Sequence, residues 1–311
     1  METHALQFDQ YGTEATPSWQ SVDLPAPTAS QVLISVLATA PSAFDLGVQA
    51  GNYRDWLPLH FPATYGTEAV GVIKTAGANV DFKPGDIVVG MVAAPNQGAF
   101  AKETILDGKS LASLPNGVPV DQGLVELTAV PAYLSLFNIG QLQRDQHVLI
   151  QGGAGGVGTM AVQLARNIGA HVTTTSSPAD FAQLQELGVE QTLDYHTDIT
   201  NLDYHFDLVI DTVGGRVLED SFQLVRDGGR IVSLVSRPNA QMKIQYPTVT
   251  VQFLATTDQQ ALPAVLDLIA SGRIQVPIQQ RFTLDQAGIL AAINFQRTHH
   301  VFGRVAIITG G

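Results

Sequence analysis

Residues 147–166 put a short apolar run, a glycine turn and a helical stripe into one continuous stretch. Val148, Leu149 and Ile150 suit a strand buried on both faces. Gly153, Gly155 and Gly158 follow at the G-x-G-x-x-G spacing. Val157, Ala161, Leu164, Ala165 and Ile168 then recur every three or four residues, the period of a helix. Strand, glycine turn and helix in that order are the context in which the spacing carries meaning. The first glycine permits the tight turn. The second lets a pyrophosphate approach the backbone, where a Cβ would collide with it. The third lets helix and strand pack closely. Gly153, Ala154, Gly155, Gly156, Val157 and Gly158 are therefore expected to cradle a dinucleotide, with the free N–H groups and dipole of the helix start facing its phosphates. A glycine-rich strand-to-helix turn with no ligand is the alternative.

At 311 residues the chain is long enough for two domains. Hydrophobic residues make up 45% and charged residues 14%, which favours a well-buried core. The net charge of −12 argues against nucleic acid and against an anionic membrane surface, since both need clustered Lys and Arg. There is no cysteine, so neither a disulfide nor a thiolate zinc site can form. No apolar stretch reaches the roughly 18–20 residues of a membrane span. Met1, Glu2, Thr3 and His4 do not begin a basic-then-apolar leader, and a cytoplasmic location is expected.

Residues 1–120 are rich in Pro, Gly and short β-like runs, at 31–37, 69–73 and 86–90. Short strands with turn signals between them predict an irregular β domain. Residues 126–139 look helical. From 147 onward strands alternate with helices: strands at 172–175, 207–211 and 230–234, helices at 178–187, from 216 to about 225, and 259–270, and a last strand at 301–308. Alternation of this kind implies a parallel sheet with helices on both faces.

Four segments now support a resemblance that spans nearly the whole chain. They are Ser42-Ala-Phe-Asp45 with Gly51-Asn-Tyr53, Tyr65-Gly-Thr-Glu-Ala-Val-Gly71 with Asp81-Phe-Lys-Pro-Gly-Asp86, the glycine loop, and Asp211-Thr-Val-Gly-Gly215 with Asp227-Gly-Gly-Arg-Ile-Val232. In their order and spacing the chain resembles the zinc-independent quinone oxidoreductases of the medium-chain dehydrogenase/reductase superfamily. The resemblance implies an α/β fold: a Rossmann doubly wound parallel sheet plus a GroES-like irregular β-barrel catalytic domain, with the active site in the cleft. It implies a catalytic domain at 1–121, completed by 256–311, and a cofactor domain at 122–255.

The resemblance also sets expectations for single residues. Metal-dependent relatives ligate zinc through Cys and through the His of a Gly-His-Glu motif; here that motif reads Gly66-Thr67-Glu68, so no zinc is expected and Glu68 becomes a structural acid. Ser42 stands where the family has an Asn near the nicotinamide. Pro131, in Val130-Pro131-Ala132, stands where the family has a Thr, and that contact is lost. Relatives that use NADP carry a Ser at the end of the second strand, a Lys a few residues on, and a Tyr after the third strand. Ser176 and Tyr195 match, while Asp180 takes the Lys position. No acid occurs between Asp145 and Asp180, so the acid that holds the ribose of NAD is missing from the strand end. NADP(H) is therefore expected ahead of NAD(H). Val213 and Leu234, in the loops after later strands, complete the expected cofactor contacts.

Tyr53, Asp45 and Ser42 are the candidate catalytic residues. Tyr53 either donates a hydrogen bond to a carbonyl oxygen as charge develops on it or packs with its hydroxyl in water. Asp45 is either a polar group at the substrate or a turn or helix cap. Trp56, Phe61, Tyr65 and Phe253 could line an apolar pocket or belong to the core. Arg297 and Arg304 either reach the cofactor phosphates or lie on the surface, and His299 and His300 face solvent. The function expected is hydride transfer from NADPH to an apolar quinone, enone or related conjugated carbonyl. The alternative is a catalytically weak NADPH-binding redox sensor or scaffold. Residues 249–254 form an apolar, β-branched edge, and an unpaired edge of that kind predicts a homodimer.

Overall fold

The computed structural model describes residues 1–12, 17–92, 97–200, 202, 205–254 and 260–310. By backbone packing the chain forms two compact units, Met1–Glu126 with Ile278–Gly311, and Leu127–Pro277. The first begins with β1 (Glu2–Phe8), β2 (Ser18–Asp23), β3 (Gln31–Thr39), α1 (Ala43–Ala50) and β4 (Ala63–Thr64). It continues with β5 (Glu68–Ala76), β6 (Ile87–Met91), β7 (Glu103–Asp107) and β8 (Ala112–Ser113). The second unit contains α2 (Ala129–Tyr133), β9 (His147–Gln151), α3 (Gly156–Asn167), β10 (His171–Ser176), α4 (Phe181–Glu186) and β11 (Gln191–Asp194). After these come β12 (Phe206–Asp211), α5 (Arg216–Leu224), β13 (Val225–Ser233), α6 (Ala240–Gln245), β14 (Thr250–Phe253) and α7 (Ala261–Ala270). The chain then returns to the first unit through β15 (Ile278–Thr283), α8 (Gln286–Thr298) and β16 (Arg304–Ile308).

In the second unit six strands pair in the order β11-β10-β9-β12-β13-β14, every pair parallel. Val148, Leu149 and Ile150 of β9 are buried, as a central strand covered on both faces requires. The chain runs outward from β9 to β11 and restarts at β12 on the other side of β9. The strand order therefore reverses between β9 and β12, the place where open α/β sheets bind ligands at the strands' carboxyl ends. The glycine loop leaves β9 at that end.

The first unit is the irregular β domain. Three strands pair as β2-β1-β4, and a larger sheet runs β15-β16-β3-β5-β6-β8, with β7 also on β3. The last strand does return: Ile307 pairs with Thr39 and Ile308 with Ala38, antiparallel. Its first residue corrects one expectation. Arg304 is neither on the surface nor free for a cofactor. It is 4% exposed, its Nη1 lies 2.5 Å from Glu68 Oε1, and the same nitrogen donates to the Leu124 carbonyl at 2.7 Å. Glu68 is thus a structural acid inside the core.

Two segments differ from the pattern read in the sequence. Residues 126–139 hold only a five-residue α2, followed by a π-helical turn over Leu134–Ile139 that closes with the Gly140 N–H on the Ser135 carbonyl at 2.9 Å. The end of the second unit lies at Pro277, beyond the boundary expected at 255, because α7 packs its buried Leu262, Val265, Leu266 and Ile269 with that unit. Residue 259, the expected start of that helix, lies outside the described residues. Among those described, no helix is long and apolar enough to cross a membrane.

Candidate functional site

The glycine loop divides its work differently from its spacing. The positive backbone angle is at Gly152, φ +80°, where a Cβ would come within 2.6 Å of Thr212 Oγ1. Gly152, one residue before the motif, therefore makes the tight turn assigned to Gly153. Gly153 is required for another reason: a Cβ there would lie 2.0 Å from Thr174 Oγ1 on the neighbouring strand. Gly158 brings α3 against the loop, with a Cβ 2.2 Å from the Gly152 carbonyl. Gly155 is unlike these. Its backbone is extended, φ −72° and ψ 173°, and a Cβ would meet only the Gly152 carbonyl, at 3.6 Å. The protein leaves open the space over Gly155, beside the first-turn N–H groups of Gly156, Val157 and Gly158, which have no partner within a helix. That cradle fits a pyrophosphate. Ala154 is buried and Val157 half-buried beside it.

Polar side chains at the strand ends fix this loop. Thr175 Oγ1 accepts from the Gly152 N–H at 3.0 Å and donates to Gln151 Oε1 at 2.8 Å, and the Gly153 N–H donates to the Thr175 carbonyl at 3.0 Å. Across the sheet, Asp211 is fully buried and accepts from the Val213 and Gly214 N–H groups and from Ser233 Oγ. That leaves Val213 48% exposed at the carboxyl end, and Leu234 half-buried with its N–H on the Asp211 carbonyl. Gln151, Thr175 and Asp211 were not singled out in the sequence. Their signal is a polar residue closing an apolar strand.

Asp180, at the position where NADP-using relatives have a Lys, turns inward onto the strand end. Ser177 starts a 3₁₀ turn over Pro178–Asp180 that folds Asp180 back. Ser176 Oγ donates to Asp180 Oδ2 at 2.8 Å, with both residues under 5% exposed. Tyr195 donates its backbone N–H to the Ser176 carbonyl at 3.3 Å and holds its ring in the open beside His196.

The first unit contains a cavity of about 300 Å³ lined by Phe44, Val48, Trp56, Leu57, Met91 and Val92, with Asp45, Thr67 and the hydroxyl-bearing Tyr65 as its polar side chains. Asp45 accepts from Ser42 N–H at 2.9 Å, Ser42 Oγ at 2.5 Å and Thr67 Oγ1 at 2.6 Å. Ser42 is the N-cap of α1, and Ser42 with Asp45 completes a capping box. Burial pushes the Asp45 carboxyl up; its bonds to Ser42 and Thr67 pull it back. Tyr53 is not among the cavity-lining residues. Its ring stacks on Phe44 at 5.1 Å and rests on Gly47, where a Cβ would come within 2.7 Å of it. Tyr65 lines the cavity too, whereas Phe61 lies with Pro62 at a separate depression and Phe253 packs under Arg237. Arg297 is tied to Gln49 Oε1 at 2.9 Å, and His299 and His300 are exposed.

Residues 28–133 match the family model of the alcohol dehydrogenase GroES-like domain, and residues 187–307 match that of the zinc-binding dehydrogenase. Together the two reach into both compact units. The chain belongs to the medium-chain dehydrogenase/reductase superfamily. It is similar to the chloroplast envelope quinone oxidoreductase homolog of Arabidopsis thaliana, 27% identical over 91% of this chain and 92% of that one. It is also similar to the NADPH-dependent alkenal/one oxidoreductase of the same plant, 25% identical over 98% of this chain and 79% of that one. The solved quinone oxidoreductase from Coxiella burnetii superposes with a TM-score of 0.88 at 26% identity, over the full length of both.

Within this superfamily member the position of a ligand His is Thr67, bonded to Asp45, and the acid beside it is Glu68, paired with Arg304. Among the described residues no cluster of three His, Cys, Asp or Glu could hold a metal ion. Behind Glu68 lies Glu126, fully buried, whose backbone N–H donates to Glu68 Oε2 at 3.0 Å. Neither Glu126 carboxyl oxygen has a partner among the described residues. Burial, and then the Glu68 carboxylate, push the Glu126 carboxyl up to about 8. The folded protein therefore holds a proton there that the unfolded chain releases near pH 4–5, so this group costs stability as pH rises from that range towards 8. Glu126→Gln keeps the shape and removes the ionisation. It is expected to match the wild-type thermal midpoint at pH 5 and exceed it by several degrees at pH 8.5, a stabilisation on the order of 1–3 kcal/mol. Equal midpoints at both pH values would show that Glu126 is not held neutral.

Proposed function

We propose that this superfamily member is a zinc-independent oxidoreductase that passes hydride from a reduced nicotinamide dinucleotide to a small apolar quinone, enone or related conjugated carbonyl. The open cradle at Gly155 carries the reading, because the space at Gly152, Gly153 and Gly158 is filled by the protein's own packing and the space at Gly155 is not. When bound, the nicotinamide supplies the hydride; the acceptor takes that hydride with one proton and leaves reduced. The α3 N–H groups hold the pyrophosphate, and the cavity beside Asp45 takes the acceptor. Asp45 and Thr67 form the polar end of that cavity, with Ser42 bonded to Asp45 behind it, and Tyr53 backs the aromatic wall. The absence of cysteine and the Thr at position 67 support chemistry without zinc. One observation favours a catalytically weak binder instead: the Ser42 hydroxyl, at a family contact position, is spent on Asp45. Steady-state oxidation of NADPH and NADH against quinones, enones and aldehydes separates the two readings, and cofactor binding with no turnover on any of them would favour the binder.

Gly155→Val tests the cradle. The extended backbone there suits Val, so the apo midpoint is expected within a few degrees of wild type. Stabilisation by dinucleotide, about 2.7 kcal/mol at a hundredfold excess over Kd in the wild type, is expected to vanish, and reductase activity with it. A variant that folds and is still stabilised like the wild type would remove the cofactor from this loop.

The choice between the two dinucleotides turns on Asp180. Ser176 and Tyr195 favour NADPH, while the carboxylate bonded to Ser176 opposes a 2′-phosphate. Asp180→Ala is expected to strengthen NADPH binding relative to NADH about tenfold by titration calorimetry, roughly 1.4 kcal/mol. An unchanged ratio would mean that Asp180 does not face the ribose.

We also propose a homodimer through β14, the edge of the six-stranded sheet. Light scattering at micromolar concentration is expected to give twice the chain mass, and a monomer mass would rule the pairing out.

A further inference from the structure

Trp56 is held in place without being covered. The indole is 64% exposed, although it carries one of the largest apolar surfaces of any side chain. Its backbone N–H donates to the Tyr53 carbonyl at 3.1 Å, and the Leu57 N–H reaches the same carbonyl at 2.8 Å, which fixes the turn that bears it. Two rings set its orientation: Tyr53 at 5.5 Å between centroids and 52° between planes, and Phe44 at 6.2 Å and 38°. Phe44 and Tyr53 stack on each other at 21°, and Tyr53 is seated on Gly47. Trp56, Phe44 and Tyr53 therefore make a rigid aromatic group on the edge of the cavity, with Val48, Leu57, Met91 and Val92 as its other apolar walls.

A mostly exposed indole, held by neighbouring rings beside an apolar cavity, is suited to receive a flat ring. Stacking rewards an aromatic or quinonoid ring beyond the area it buries, and the short planar segment of an acyclic enone covers far less of the indole face. The cavity, at about 300 Å³, is at the small end of ligand pockets and suits one or two fused rings. We propose that Trp56 is the stacking platform for the acceptor, and that it makes this cavity select a flat one- or two-ring quinone over an acyclic enone. The proposal rests on the reading of the cavity as the acceptor's site.

The chain has two tryptophans, Trp19 and Trp56, so Trp19→Phe leaves Trp56 as the single fluorescent reporter. Titration of that variant with 1,4-naphthoquinone is expected to give saturable quenching, and 3-penten-2-one at the same concentrations is expected to give none. Linear, collisional quenching would overturn the proposal. In the otherwise wild-type chain, Trp56→Ala is expected to lower the ratio of kcat/KM for naphthoquinone to kcat/KM for 3-penten-2-one about tenfold, mostly through the quinone KM, with Trp56→Phe recovering most of it. An unchanged ratio in Trp56→Ala would also overturn the proposal. If the wild type turns over neither compound, the proposed function fails on its own, while saturable quenching would still establish Trp56 as the ring platform.

Discussion

The ion pair between Glu68 and Arg304 is the constraint on which the first unit depends. Glu68 opens β5 and Arg304 opens β16, and both are almost wholly buried. A carboxylate taken out of water alone is prohibitively costly, and its partner must arrive with good geometry and further hydrogen bonds. Asp45 and Glu126 stand close enough to bear on the same charge balance: Asp45 raises the Glu68 carboxyl, and Glu68 raises that of Glu126. The cation that meets these carboxylates comes from the last strand of the chain. The return of the C-terminal segment is thus an electrostatic requirement of the first unit as well as the closing of its sheet.

The second unit depends on close packing around its glycine loop. At Gly153 and Gly158 the strand, loop and helix approach until no Cβ fits, and at Gly152 the chain must also adopt a positive φ. These positions are saturated by the fold. Gly155 is a few residues away in the same loop and has space above it. One run of glycines therefore serves close packing at three positions and leaves open space at a fourth.

Much of this was legible in the sequence because period and spacing are local. The apolar run of β9, the stripe of α3 and the alternation that follows state a parallel sheet directly, and the turn signals of the first 120 residues state an irregular β domain. Interactions between distant positions were not legible. Arg304 begins a run of Val, Ala and Ile, and nothing in that run names Glu68, 236 positions earlier, as its partner. Asp180 lies four residues beyond the end of β10, and only the tight 3₁₀ turn after Ser177 folds it onto Ser176. Tyr53 reads equally as a phenol for catalysis or as a packing residue, and only the fold shows that the missing Cβ of Gly47 gives its ring a seat against α1, while Phe44 and Trp56 line the cavity.

Ser42, Thr67 and Ser176 are small hydroxyls at positions where a ligand contact would be read, and in each case a carboxylate of the protein takes the hydrogen. A hydroxyl has one proton to give. Given to Asp45 or Asp180, it satisfies a buried acid and is no longer available to a substrate carbonyl or a phosphate. The hydroxyl of Thr67 is thus spent on Asp45, that of Tyr65 is buried without a partner among the described residues, and the other side chains of the cavity wall are apolar or aromatic. Under the proposed function, selection of the acceptor in this cavity rests on shape and ring contact more than on hydrogen bonding, which suits acceptors that need little protein help to stabilise added charge, as conjugated rings do.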